Sequence, residues 1–180
     1  MKTLVAFALC SAFGCTTTTS SNVNDGAVIA GTPFTATATA SMVRTDRGLT
    51  NIELTDFADA CSDADESEHA TSKTLRLLLA DYTSADESVP PSQPGTYPVS
   101  SLLDPLPSSG PYATCGFLVD DATCKISEAP CDSGQITLTR ADATGYAGTF
   151  DIVIAGDHVT GSFDTSNCAG VSEEGFGTCH

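Results

Sequence analysis

The chain contains no tryptophan, and its 180 residues carry only 7 lysines and arginines against 23 aspartates and glutamates. A formal charge of −16 repels phosphate backbones and anionic head groups, so no nucleic-acid partner is expected. Carbohydrate-binding sheets usually present tryptophan or tyrosine platforms. Here Tyr82, Tyr97, Tyr112 and Tyr146 are the only tyrosines, and each is expected as a half-buried strand residue with its hydroxyl at the rim. No CxxC pair announces a zinc site, and no HExxH helix is present. A Gly-x-Ser-x-Gly elbow and a glycine-rich phosphate loop are missing as well, so no residue is assigned a catalytic role and no cofactor is expected. His69, His158 and His180 have no partner at short metal-ligand spacing. Beyond the first residues, no apolar stripe of helical period runs for a helix length.

What the chain does have is cysteine, eight residues of it. Apart from Cys10 and Cys15 they sit in polar, Gly/Ser/Asp-rich surroundings, which reads as disulfide use in an oxidising compartment. Cys61, Cys115, Cys124, Cys131, Cys168 and Cys179 are the candidates, with connectivity open. The local pairings Cys124–Cys131 and Cys168–Cys179 are both compatible with the spacing.

Residues 1–14 combine Lys2 with an apolar or small run ending Ala12-Phe13-Gly14, the pattern of an export signal and too short to span a membrane. Thr16 to Asn22 form a polar tract without an apolar face, so residues 15–32 are expected to be a tether and 33–180 the domain. Gly14-Cys15 resembles the end of a bacterial lipobox, with Ala12 where leucine is usual. That resemblance implies a diacylated Cys15 as the new N-terminus and a membrane partner through the lipid. Parity agrees: removing 1–14 leaves seven cysteines, and lipid on Cys15 leaves an even six. Thr16 after the cysteine resembles outer-membrane sorting. The same Ala-x-Gly pattern also suits an ordinary signal peptidase, which makes secretion the alternative.

Period-two alternation dominates the rest. Phe34 to Met42 places Ala and Met on one face and Thr35, Thr37, Thr39 and Ser41 on the other, a strand half open to water. Leu49–Thr55 alternates again, Leu75–Tyr82 reads as a more buried strand, and Pro98 argues for an edge position of Gly95–Val99. Tyr112–Val119 is another strand. Gln135–Arg140, Tyr146–Ala155 and His158–Asp164 form a meander, with a I′ or II′ turn at Gly156-Asp157. Some eight short strands predict an all-β domain, a single antiparallel β-sandwich or partly closed β-barrel stapled by disulfides. Gly148-Thr-Phe-Asp and Gly161-Ser-Phe-Asp echo each other, as neighbouring strands with similar faces would.

Ser133-Gly-Gln-Ile-Thr-Leu-Thr, Gly148-Thr-Phe-Asp-Ile and Val159-Thr-Gly-Ser-Phe-Asp-Thr, followed by Cys168, resemble small lipoproteins of unknown function from Gram-negative bacteria, myxobacteria in particular. The resemblance implies a lipid-anchored β domain with no assigned chemistry. In the acidic stretch 56–69, Asp63, Asp65, Glu66 and Glu68 offer carboxylates to Ca²⁺. The EF-hand pattern fails there, with Glu68 and Thr74 at the positions that need Gly and Glu, so a solvated loop pinned by Cys61 is the expectation and no metal. The functional expectation is an exported, lipid-anchored structural or binding module of the envelope, with an unknown ligand or protein partner. The alternative is a small secreted or periplasmic hydrolase using carboxylates or His158 in a cleft.

Overall fold

The structure, a computed structural model, describes residues 20–23, 27–58, 60–63, 71–101, 104–123 and 125–168. In chain order they form β1 (Ser20–Val23), β2 (Ala27–Ile29), β3 (Thr32–Phe34), β4 (Ala38–Arg44), β5 (Leu49–Thr55), a single helical turn α1 (Ala60–Asp63), β6 (Lys73–Ser84), β7 (Glu87–Val89), β8 (Gly95–Val99), β9 (Gly110–Asp120), β10 (Ile126–Asp142), β11 (Gly145–Ile154) and β12 (Asp157–Asp164). The domain is all-β, as its alternation predicts. One 10-stranded sheet runs β1-β12-β11-β10-β8-β9-β6-β5-β4, with β7 added to β6, and β2-β3 is a separate hairpin. Pairing is antiparallel except at β8 and β9, which meet in parallel at Val99↔Ala113.

The sheet curls into a partly closed barrel around one apolar interior. Leu75, Leu77 and Leu79 of β6 point inward beside Ile52 and Leu54 of β5, and meet Ile136, Leu138, Ile152 and Ile154 from the far wall. Removing a leucine or isoleucine of this size from water is worth about 1.5–3 kcal/mol, so alternation alone is enough to choose the inward face. The β2–β3 hairpin plugs one mouth. Ile29 and Phe34 are buried there, Phe34 meets Phe117 edge-on at 5.2 Å, and the Ala30 N–H donates to Asp157 at 2.8 Å.

At the far edge, β4 meets the chain that leaves β12. Ser41 bridges Asn167 in parallel, the Ser41 N–H donates to the Ser166 carbonyl at 3.1 Å, and the Cys168 N–H donates to the Ser41 carbonyl at 2.8 Å. The Cys61–Cys168 disulfide lies on this seam. The second disulfide, Cys115–Cys131, sits where the β9–β10 hairpin ends its pairing at Gly116↔Pro130 and opens to admit β8. The first bond thus ties α1 to the chain after β12, and the second joins β9 and β10 one residue beyond the end of their ladder. Neither local pairing forms: Cys131 bonds Cys115 rather than Cys124, and Cys168 bonds Cys61 rather than Cys179. Cys124 and Cys179 lie outside the described residues.

Several expectations change. Part of the expected tether, 15–32, is folded, because β1 pairs with β12 and β2 belongs to the plug. Phe34 to Met42 is interrupted at 35–37, and Thr39 and Ser41 face the interior opposite Leu54 and Ile52 rather than water. The seam and the Thr165 hydroxyl close over Ser41, while the Thr39 hydroxyl is buried on the same face without a partner. Pro98 is not on an edge strand, since β8 lies between β10 and β9, but its ladder with β9 is one residue pair long.

The turn of the last hairpin is Ala155-Gly156, one residue earlier than expected, with φ of 50° and 84°. Positive φ at both central residues defines type I′. Ala30-Gly31 repeats it with 50° and 76°, and both turns belong to the same tetrapeptide, Val28-Ile-Ala-Gly31 and Val153-Ile-Ala-Gly156.

The echo of Gly148-Thr-Phe-Asp and Gly161-Ser-Phe-Asp has a register behind it, since Gly148 pairs with Phe163 and Phe150 with Gly161. Each glycine lets the partner's ring lie across its backbone. A Cβ on Gly161 would strike the Asn22 carbonyl and the Phe150 ring, and one on Gly148 the Thr137 carbonyl and the Phe163 ring.

Candidate functional site

Outside the apolar interior, β5, β6 and β9 carry further apolar side chains on their outer faces. Directly paired residues share a face. Leu78↔Thr114 and Ala80↔Tyr112 therefore point away from the barrel interior, from the strand whose inward face is Leu75, Leu77 and Leu79. Apolar residues on both faces mean that the outer one is covered. The cover comes from the turn at 45–48, from β7 and from the segment carrying Leu106. Gly48, at φ 65°, allows the turn to lie against β7, where a Cβ would strike the Ser88 carbonyl. The Ser88 hydroxyl donates to the Arg47 carbonyl at 3.4 Å.

Between these elements lies a pocket of about 200 Å³, with Leu49, Leu78, Ala80, Tyr82, Leu106, Tyr112 and Thr114 in its wall and Arg47 and Ser88 beside them. Tyr82 and Tyr112 meet edge-on at 5.7 Å. Burial, then the nearby Tyr82 and Asp104, push the Tyr112 hydroxyl above the ordinary tyrosine range. Leu106 is 56% exposed and forms a lip. Thr114 is 7% exposed, and its Oγ1 is buried without a hydrogen-bond partner. No histidine, carboxylate or cysteine lines this pocket.

The residues weighed for hydrolysis lie elsewhere. His158 touches Asp151 at 2.6 Å on the outer face of β11 and β12, with both side chains more than half exposed. An exposed pair of this kind is worth about 0–1 kcal/mol, and it lines no part of the pocket. Asp121 and Asp142 have pKa values below the ordinary carboxylate value, chiefly because the hydroxyls of Thr123 and Thr144 donate to them. They shape turns. Glu53 is buried and receives hydrogen bonds from Arg76 and Asn51, both at 2.9 Å, a structural pair on the outer face of β5. Among the described residues, no group of three or more His, Cys, Asp or Glu could hold a metal ion. Of the weak Ca²⁺ candidates, Asp63 lies in α1 with its side chain not described, and Asp65, Glu66 and Glu68 lie outside the described residues, as do His69, His180 and Cys15.

Tyr82 is half-buried as expected, whereas Tyr97, Tyr112 and Tyr146 are more buried. Tyr97 and Tyr146 are each 3% exposed and carry their hydroxyls inside. Tyr97 donates to Asp81 at 3.3 Å. Tyr146 accepts from Thr50 at 2.9 Å and donates to the Pro91 carbonyl at 3.0 Å, joining β11, β5 and the β7–β8 connection at the mouth opposite the plug. Burial raises the pKa of both.

The pocket itself was not read from the sequence. Its trace was the unbroken run Leu77-Leu78-Leu79-Ala80, where a half-exposed strand would alternate. Two disulfides point to an oxidising, extracytoplasmic setting. Searched against protein families, curated proteins and solved structures, the chain matches none of them.

Proposed function

We propose that this chain is an exported, lipid-anchored protein of a bacterial envelope, held at the outer membrane through Cys15, whose disulfide-stapled barrel is a non-enzymatic binding module. The observation that carries the binding reading is the pocket beside β6 and β9, which is apolar and holds no nucleophile–base pair or carboxylate pair. Hydrolysis by either route needs such a pair in a cleft. Among the described residues, the hydrolase alternative is supported by the exposed His158–Asp151 contact alone.

The anchor reading rests on Gly14-Cys15, the signal-like residues 1–14 and cysteine parity. Four of the six cysteines left after lipidation pair in the two disulfides, which leaves Cys124 and Cys179 for a third bond. Intact mass spectrometry of the protein from membranes and medium of its native host tests this. A mass beginning at Cys15 with acyl groups, gaining about six hydrogens on reduction, is the expected result. An unlipidated mass recovered from the medium would make the protein secreted and leave an unpaired cysteine.

A further inference from the structure

We infer that the pocket beside β6 and β9 binds a small, neutral aromatic molecule carrying one hydrogen-bonding group. The inference builds on the barrel as a binding module and adds a ligand class to it. Size comes first. A dry apolar cavity of about 150 Å³ accepts benzene, so about 200 Å³ takes a ring with a few further atoms. The wall suits a ring. Leu49, Leu78 and Leu106 offer aliphatic contacts, and the edge-on Tyr82–Tyr112 pair extends to a third aromatic partner in the offset or edge-on geometry such rings prefer.

The hydrogen-bonding group follows from Thr114. Its hydroxyl is buried and unpartnered in the pocket wall, a costly state that a ligand's polar atom relieves. Neutrality follows from charge. The chain's −16 disfavours an anion, Arg47 already has Asp46 at 4.0 Å, and a cation finds no carboxylate in the wall.

Indole is the probe. The chain has no tryptophan, so with excitation beyond tyrosine absorption all emission belongs to the ligand. With the full chain, indole emission should shift to the blue and saturate, with a half-point below about 1 mM for a ligand of this size. Thr114→Val should weaken indole about fivefold, the equivalent of one ordinary hydrogen bond. The same change should leave toluene, measured by competition, unaffected. Ala80→Phe fills the pocket and should abolish both. Leu106→Asp, at the exposed lip where it cannot disturb the core, should weaken both. An indole spectrum unmoved by the protein, or binding retained in both Ala80→Phe and Leu106→Asp, overturns the site. Equal losses of indole and toluene in Thr114→Val overturn the hydrogen-bonding role. A wrong anchor would show in the mass of the native protein and leave these titrations untouched, so the two failures are separable.

Discussion

Replacing Tyr146 by phenylalanine removes one oxygen from a dry place. The Thr50 hydroxyl donates to that oxygen at 2.9 Å, and it in turn donates to the Pro91 carbonyl at 3.0 Å, with Thr50 0% exposed and Tyr146 3%. Each bond contributes about 1 kcal/mol net, and stranding a buried partner costs about 1–3 kcal/mol. Thr50 can turn its hydroxyl and recover part of this, so a loss of about 2–3 kcal/mol is expected for Tyr146→Phe. Adding Thr50→Val removes the stranded hydroxyl and replaces it with a methyl of similar volume. The double variant should then be no worse than Tyr146→Phe alone, a coupling of about 1 kcal/mol or more. Urea unfolding followed by circular dichroism, without reductant, measures all four corners of the cycle. A Tyr146→Phe loss below about 0.5 kcal/mol, or simple additivity of the two changes, would show that this mouth of the barrel is not held by its hydroxyl chain.

Three further outcomes follow from the same geometry. Gly161→Ala should destabilise by about 2–4 kcal/mol, because the new methyl meets the Asn22 carbonyl and the Phe150 ring; a thermal melt indistinguishable from the parent would contradict the Gly–Phe register. A Cys61→Ser/Cys168→Ser chain loses a link across 107 residues, worth about 4–5 kcal/mol in chain entropy. Its backbone amides at positions 41 and 168 should exchange with solvent ahead of the β6 and β9 amides, and unchanged protection at the seam would refute the closure. Burial raises the pKa of Tyr97, Tyr112 and Tyr146, so the unfolded chain ionises first as pH climbs. Their contribution is fully present below the ordinary tyrosine value of 10.0 and lost above it, and an alkaline absorbance titration should show these hydroxyls ionising late, together with unfolding. Three tyrosines that titrate normally in folded protein would be incompatible with the buried hydroxyls.

Local alternation was enough to reveal the β class, most strands and the last meander. A period-two pattern is a property of neighbouring residues, and burial then selects the face by several kcal/mol. Ile52 and Leu54, or Phe150, Ile152 and Ile154, had only one way to point. The same logic failed at Thr39 and Ser41: the Ser41 hydroxyl faces the interior because a partner, Thr165, waits there 124 residues away, and Thr39, two residues before it, shares that face with its own hydroxyl buried and unpartnered. Cysteine bonding shows the same division. Their number and setting pointed to disulfides, yet Cys61 meets Cys168 only because β4 and the chain after β12 form the seam.

The pocket is the furthest case. Leu49, Ala80, Leu106 and Thr114 belong to different elements and share no spacing. Only the run Leu77-Leu78-Leu79-Ala80 hinted that something covers β6 from outside. Composition and short-range pattern therefore determined an acidic, cysteine-bearing β chain with an export-like beginning. Which strands adjoin, which cysteines meet and where a cleft opens were decided by the tertiary structure, because those contacts join residues that no periodicity relates.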